Sequence, residues 1–182
     1  LIKQIADNED FIETSSEFAP NAVTCFARIG NKSVCIIANQ PMINDGLLST
    51  DACNKISSVL AFCDKFSIPV VTLTNTAGFE VSVDEEINGL SSSAALLASS
   101  FANSDMTKIN IITGKAYGAA FTLLGSKAMG ADMVYALPNA CISVLSPEAS
   151  VAFVWNNKVG VKTREELEAA WKEKCASAAD AC

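Results

Sequence analysis

Apolar residues recur along this chain in two spacings, one typical of strands and one typical of helices. Two short β-branched runs flank Gly30-Asn31-Lys32, and a glycine–asparagine turn between such runs predicts a β-hairpin. From Ser49 to Phe66 the apolar residues instead recur every three or four positions, which predicts a helix. Residues that commonly cap a helix start stand at its beginning, namely Ser49, Thr50 and Asp51.

Short apolar runs alternate with helical segments through the rest of the chain. The predicted strands lie at residues 68–73, 108–113, 132–136 and 140–145. The predicted helices lie at 84–101 and 117–129, from Pro147, and from Thr163, where Glu166 completes a capping box. This alternation indicates an α/β fold with parallel strands, and the extra paired strands indicate a repeated ββα unit. We expect one domain over residues 1–182.

Composition limits the classes of protein to which the chain can belong. Half of its 182 residues are hydrophobic and 18% are charged, so the chain can form a sizeable core. No apolar stretch approaches the roughly 20 residues that span a membrane, and the first ten residues lack the apolar region of a signal peptide. The net charge of -7 argues against nucleic-acid binding. We therefore expect a cytoplasmic protein without direct membrane insertion.

The chain contains no histidine, and this absence removes several mechanisms. It excludes a Ser-His-Asp or Cys-His pair within the chain, and no phosphate-binding P-loop motif is present. The seven cysteines include no CxxC pair, which, with no histidine, argues against a zinc site. Their odd number and the lack of a signal peptide favour a reduced setting.

The backbone offers an alternative to side-chain chemistry. In Lys115-Ala116-Tyr117-Gly118-Ala119-Ala120 a strand ends and a helix begins, so that free amide groups of the first helical turn suit a developing oxyanion. The loop Thr76-Ala77-Gly78-Phe79 has the same form, and adjacent parallel strands would bring both turns to one sheet edge. A glycine between strand and helix is also typical of an ordinary tight turn.

Five segments, in this order, carry a resemblance to a known family: VCIIANQP (34–41), CDKFSIPVVTLTNTAGF (63–79), EINGL (86–90), KAYGAAF (115–121) and GADMVYALPNACISVL (130–145). Together they resemble the biotin-dependent carboxyltransferases, which include carboxyltransferase subunits of acyl-CoA carboxylases and decarboxylases. The similarity is to the C-terminal of the family's two crotonase-like halves. It implies a crotonase fold, a spiral of repeated ββα units, with a C-terminal helix.

The resemblance also implies a function and its residues. In the family, backbone amides of the KAYG turn form an oxyanion hole for the biotin ureido oxygen, which places the donors at Gly118 and Ala119. The biotin-binding residues it implies are Ala77, Gly78, Phe79 and Tyr117. The implied cofactor is carboxybiotin on a biotin carboxyl carrier protein, with acyl-CoA as co-substrate. The implied partners are that carrier and a CoA-binding carboxyltransferase subunit or domain, in a homo- or hetero-oligomer.

The chain departs from the family pattern at several positions, where polar groups are lost or changed: Asn75, Ala77, Ala95, Gly114, Leu137 and Cys141. These departures support a second hypothesis, a non-catalytic scaffold or regulatory subunit of the same fold. A third hypothesis is a crotonase-like acyl-CoA hydratase or isomerase with Glu85 or Glu86 as its base. Both glutamates also suit a simpler role as charges near a helix start.

Overall fold

The computed structural model describes residues 1–158 and 162–178, and a mixed sheet of seven strands forms the centre of this part of the chain. The strands are β1 (Phe11–Thr14), β2 (Ala22–Ile29), β3 (Lys32–Asn39), β4 (Val70–Thr76), β5 (Lys108–Tyr117), β6 (Met133–Ala136) and β7 (Cys141–Ser143). They lie in the order β1-β2-β3-β4-β5-β6, and β7 pairs with the last residues of β5. The first three strands are antiparallel, and from β3 onward the pairing is parallel.

The predicted hairpin is confirmed. Strands β2 and β3 pair along their whole length, and the turn between them consists of Gly30 and Asn31, with φ angles of +58° and +64°. Such angles fit a two-residue turn whose twist matches that of the strands. The carboxylate of Asp7 accepts hydrogen bonds from both turn amides, at 3.0 and 2.7 Å. The short strand β1 was not predicted, because it has only four residues and none of them is fully buried.

Seven α-helices lie in the described residues: α1 (Ile2–Ile5), α2 (Thr50–Lys65), α3 (Val83–Ile87), α4 (Leu90–Ala102), α5 (Gly118–Leu123), α6 (Pro147–Val154) and α7 (Arg164–Cys175). Helix α2 begins as predicted, because the Ser49 hydroxyl accepts a hydrogen bond from the Ala52 amide. Pro147 opens α6, and the predicted capping box of Thr163 and Glu166 is present. These starts follow from local chemistry.

Two of the predicted helices are wrong in extent. The segment 84–101 forms two helices, because Gly89 has a φ of +87° that interrupts the helical path. The segment 117–129 contains only α5 and a short 3-10 turn at Lys127–Met129, separated by Gly125 with a φ of +81°. Glycine adopts this left-handed conformation readily, and helices commonly end there. Tyr117 belongs to β5, and the helix begins one residue later.

The hydrophobic core lies on both faces of the sheet. On one face α2, α4 and α5 pack on strand residues through fully buried side chains that include Leu60, Phe101 and Ala120. On the other face Ile36 and Leu73 pack beneath α1. Within residues 1–158 and 162–178 no helix is long and apolar enough to cross a membrane, and no cluster of potential metal ligands is found. Cys182 lies outside the described residues.

Candidate functional site

The two loops predicted to share a sheet edge are neighbours. Strands β4 and β5 are parallel, and Thr76 at the end of β4 pairs with Ala116 near the end of β5. The chain leaves β4 through Ala77 and leaves β5 through Gly118, so both turns lie at the carboxyl edge of the sheet. Ligands commonly bind at this edge in open α/β sheets.

The turn after β5 is very tight. Strand β5 runs to Tyr117, and α5 begins at Gly118, whose φ is +62°. Buried Ala120 fixes the helix to the core, whereas Ala119 is exposed. The first amides of a helix have no acceptor within it and carry partial positive charge. The backbone at Gly118 and Ala119 therefore offers hydrogen-bond donors at the surface of the turn.

A cavity of ≈ 840 Å³ lies against this turn. Gly118 and Ala119 form part of its wall, and α6 and α7 form the opposite side. The wall is mostly apolar and includes Phe121, Ile142, Val144, Leu145, Phe153 and Trp171. Among the described residues that line the cavity, none carries a charge.

This composition decides which chemistry the cavity can support. Its polar side-chain groups are the hydroxyls of Thr122, Ser143 and Ser150, the thiol of Cys175 and the indole N–H of Trp171. No carboxylate or amine of the described wall is available as a general base. Amide donors in apolar surroundings are stronger than in water, because the local dielectric constant is low. The arrangement can therefore bind an apolar ring or chain and stabilise negative charge at the turn.

The other four predicted site residues lie outside the wall of this cavity. Phe79 packs against the core cluster, and the Gly78 carbonyl accepts a hydrogen bond from the Leu48 amide at 3.0 Å. Ala77 is half-buried beside them. Tyr117 is buried beneath the turn, where burial raises the pKa of its hydroxyl. The structure thus places Gly118 and Ala119 together at the cavity, and the biotin-binding role of the other four stays a prediction.

The two glutamates considered as bases have different surroundings. The Glu85 carboxylate accepts a hydrogen bond of 2.5 Å from the Thr50 amide at the start of α2. An anion at a helix N-terminus stabilises that helix, so the contact gives Glu85 a structural role. Glu86 is exposed, and neither residue lines the cavity at Gly118.

The sequence did not predict that α6 and α7 form one side of the cavity. The two helices pack together, and the rings of Trp155 and Trp171 meet edge to face with centroids 4.9 Å apart. Phe153 is 84% exposed at the cavity, which is unusual for a large apolar side chain. Both tryptophans of the chain lie in this region, and that clustering is the one sequence signal that pointed to it.

Comparison with known proteins gives a consistent result. Residues 1–182 match the model of a family described as "Carboxyl transferase domain". The chain is 36% identical over 179 residues to a putative propionyl-CoA carboxylase beta chain of Bacillus subtilis, covering 96% of this chain and 35% of that protein. It is also 36% identical over 174 residues to the methylmalonyl-CoA decarboxylase subunit alpha of Propionigenium modestum, covering 96% and 33%. The chain therefore spans about a third of the length of these relatives.

Solved structures have the same fold. The transcarboxylase 12S structure, described as a hexamer with methylmalonyl-coenzyme A and methylmalonic acid bound, superposes with a TM-score of 0.93 and 32% identity. The match covers 99% of this chain and 35% of that one. The beta subunit of P. aeruginosa geranyl-CoA carboxylase superposes with a TM-score of 0.83 at 21% identity, covering 98% and 35%, and supports the fold alone. The expected crotonase-like fold is confirmed.

Proposed function

The chain belongs to the carboxyl transferase domain family, and on this basis we propose that it is the carboxyltransferase component of a biotin-dependent acyl-CoA carboxylase or decarboxylase. It acts on biotin held by a biotin carboxyl carrier protein. One observation supports the proposal: Gly118 and Ala119, the first two residues of α5, line an apolar cavity with no charged side chain among its described residues.

The cavity suits the group that the proposal requires. At ≈ 840 Å³ it has room for a small bicyclic ring and the start of an alkyl chain. Its apolar wall, which includes Phe153 and Trp171, favours the ring and the chain, while the turn offers donors to a polar end. The exposed position of Ala119 leaves the donors open to a group delivered by another protein.

Backbone donation is sufficient for the carboxyl-transfer step. Carboxybiotin supplies the carboxyl group by breaking its N–C bond, which releases CO2 and leaves the electron pair delocalised toward the ureido oxygen. The amides of Gly118 and Ala119 donate hydrogen bonds to that oxygen and stabilise the charge as it develops. Binding of the ring against the apolar wall displaces water from the turn and strengthens these bonds. No side-chain acid or base is needed for this step.

The acyl acceptor is bound by other parts of the enzyme. The chain spans about a third of the length of its relatives, and none of the described residues that line the cavity at the Gly118 turn carries a charge that could pair with the phosphates of coenzyme A. The proposed acceptor is an acyl-CoA, bound by a CoA-binding carboxyltransferase subunit or domain within a cytoplasmic oligomer. In the alternative of a non-catalytic scaffold, the chain keeps its assembly surfaces and has no carboxybiotin turnover.

Release of CO2 from free carboxybiotin by the full chain tests the proposal. We expect Gly118→Val to lower the rate of CO2 release by a factor on the order of 10²–10³. The reason is that a side chain at a φ of +62° strains the turn and displaces the donors. A β-carbon there would also lie 3.4 Å from the Val144 carbonyl oxygen. The matched control is Gly30→Val, because Gly30 has a φ of +58° and no atom within 4 Å of an added β-carbon.

A second variant tests the proposal even if Gly118→Val does not fold. Ala119→Pro removes one amide donor outright, at the second residue of α5, where proline is compatible with a helix start. The matched control is Asp51→Pro, at the second residue of α2. The proposal requires that Ala119→Pro loses CO2 release while Asp51→Pro retains it. If the wild-type chain is folded and gives no acceleration, the scaffold alternative is supported instead.

A further inference from the structure

The pairing of β4 and β5 is interrupted next to the Gly118 turn. Thr74 pairs with Ile112, but the next pair along is Thr76 with Ala116, so β5 contains two more residues than β4 between these pairs. The extra residues form a bulge in β5 that includes Gly114 and Lys115. Bulges commonly lie beside functional sites and redirect the strand beyond them.

The side chain of Asn75 fills this bulge. Its Oδ1 atom accepts a hydrogen bond of 2.9 Å from the Lys115 amide. The bulge has no room for a side chain at Gly114, because an added β-carbon would lie 2.6 Å from that same Oδ1 atom. Asn75 and Gly114 are therefore complementary, and together they fix where β5 resumes its pairing.

Asn75 is also linked to the two neighbouring segments of the sheet edge. The backbone amide of Asn75 donates a hydrogen bond of 3.2 Å to Oδ1 of Asn39, at the end of β3. The Asn39 Nδ2 group donates to the Gly46 carbonyl at 3.3 Å, and the adjacent Asp45 carboxylate accepts from the Lys115 ammonium at 2.7 Å. We call this closed set of residues the Asn75 ring: Asn39, Asp45, Gly46, Asn75 and Lys115.

We propose that Asn75 is a positioning residue, which sets the Gly118 and Ala119 amides by fixing the backbone of Lys115. Lys115 begins the final stretch of β5, which pairs with β7 from Lys115 to Tyr117 and with β4 at Ala116. A displacement at Lys115 is thus transmitted along a paired strand to the turn. Asn75 does not line the cavity and acts only through the backbone. Its catalytic consequence rests on the function proposed above.

Three variants separate positioning from general stability. Asn75→Leu has a similar volume but no acceptor for the Lys115 amide, whereas Asn75→Asp keeps an acceptor oxygen. Ile36→Val removes one methylene from the core on the α1 face of the sheet, away from α5, and provides the control for modest destabilisation.

Amide ¹H–¹⁵N chemical shifts of the full chain provide a readout that does not depend on activity. We expect Asn75→Leu to move the signals of Lys115, Gly118 and Ala119. Asn75→Asp restores the Gly118 and Ala119 signals toward their wild-type positions, and Ile36→Val leaves them unchanged. The inference is overturned if Asn75→Leu moves the Lys115 signal alone, or if Ile36→Val moves the turn signals equally.

Kinetics with free carboxybiotin provide the second readout. A misplacement of donors lowers kcat more than it raises KM, so we expect Asn75→Leu to lose kcat on the order of tenfold to a hundredfold, with recovery in Asn75→Asp. Equal losses in Asn75→Leu and Ile36→Val overturn the positioning role. If the wild-type chain has no activity, the proposed function fails by itself, and the chemical shifts still decide the role of Asn75.

Discussion

The ring of Phe101 lies against the α-carbon of Gly125, so that a β-carbon at residue 125 would be 3.1 Å from the ring carbon Cε1. Both residues are buried. The contact joins the end of α4 to the turn that follows α5, and it therefore helps to fix the short helix that begins at Gly118. It has a direct consequence for stability.

We expect Gly125→Ala to lower the free energy of unfolding by about 1–3 kcal/mol, because the added methyl overpacks the Phe101 ring and the φ of +81° disfavours a side chain. Gly89→Ala is the matched control, with a φ of +87° and no atom within 4 Å of an added β-carbon. Urea denaturation followed by circular dichroism measures both. Equal losses in the two variants would show that Phe101 contributes no steric cost.

Lys55 is a buried lysine in α2 whose ammonium donates to the Phe18 and Ala22 carbonyls, both at 2.7 Å. Burial lowers the pKa of this amine. We expect Lys55→Met to destabilise the chain by about 1–3 kcal/mol, because the carbonyl of buried Ala22 loses its donor. The exposed Lys32 offers a control, Lys32→Met, which should change stability by less than about 0.5 kcal/mol. Chemical denaturation that finds the two variants alike would contradict the prediction.

Asp7 gives the hairpin turn a pH dependence. Hydrogen bonds from the Asn31 and Gly30 amides lower the pKa of the Asp7 carboxyl below 3.8. The folded state therefore favours the ionised form, and its contribution is fully present above 3.8 and is lost as the pH falls through the lower, folded pKa. We expect the thermal stability of the wild type to exceed that of Asp7→Asn near neutral pH, with the difference shrinking in acid. A difference that stays constant down to about pH 2 would exclude this linkage.

The cysteines should differ sharply in reactivity. Burial raises the pKa of the Cys25 thiol to about 11 and that of Cys53 to about 12, whereas Cys175 is exposed in α7. Because the thiolate is the reactive form, we expect iodoacetamide to alkylate Cys175 in the native chain well before Cys25 or Cys53. Peptide mass spectrometry after timed labelling, with and without denaturant, measures the order. Labelling of Cys25 at the rate of Cys175 in the folded chain would refute it.

Features that depend on neighbouring residues could be predicted from the sequence. The Gly30-Asn31 turn, the Ser49 cap and the Thr163 capping box each rest on contacts within a few residues. The interruption of the predicted helix at Gly89 could also have been predicted, because Asn88-Gly89 is a common turn dipeptide. It was missed because the apolar and small residues continue on either side of it.

Features that depend on distant residues could not be predicted in the same way. The length of β5 is set by a bulge that Asn75 fills from another strand, 40 residues away in sequence from Lys115. The cavity wall is likewise completed by α6 and α7, which follow the Gly118 turn by more than one element. The pattern of residues 114–121 shows that donors are available, but it does not show which side chains surround them.

The proposed donors at Gly118 and Ala119 belong to the main chain, so the site responds to amino-acid substitutions differently from a site built of side chains. An alanine scan would leave Ala119 untouched and would identify no side chain that itself makes the proposed oxyanion contact. Substitutions at Ala119 that keep the backbone path keep the amide as well. Substitutions around the turn that leave this path unchanged therefore keep the proposed chemistry, whereas changes at Asn75 or Gly114, which fix the path of β5, are expected to disturb it.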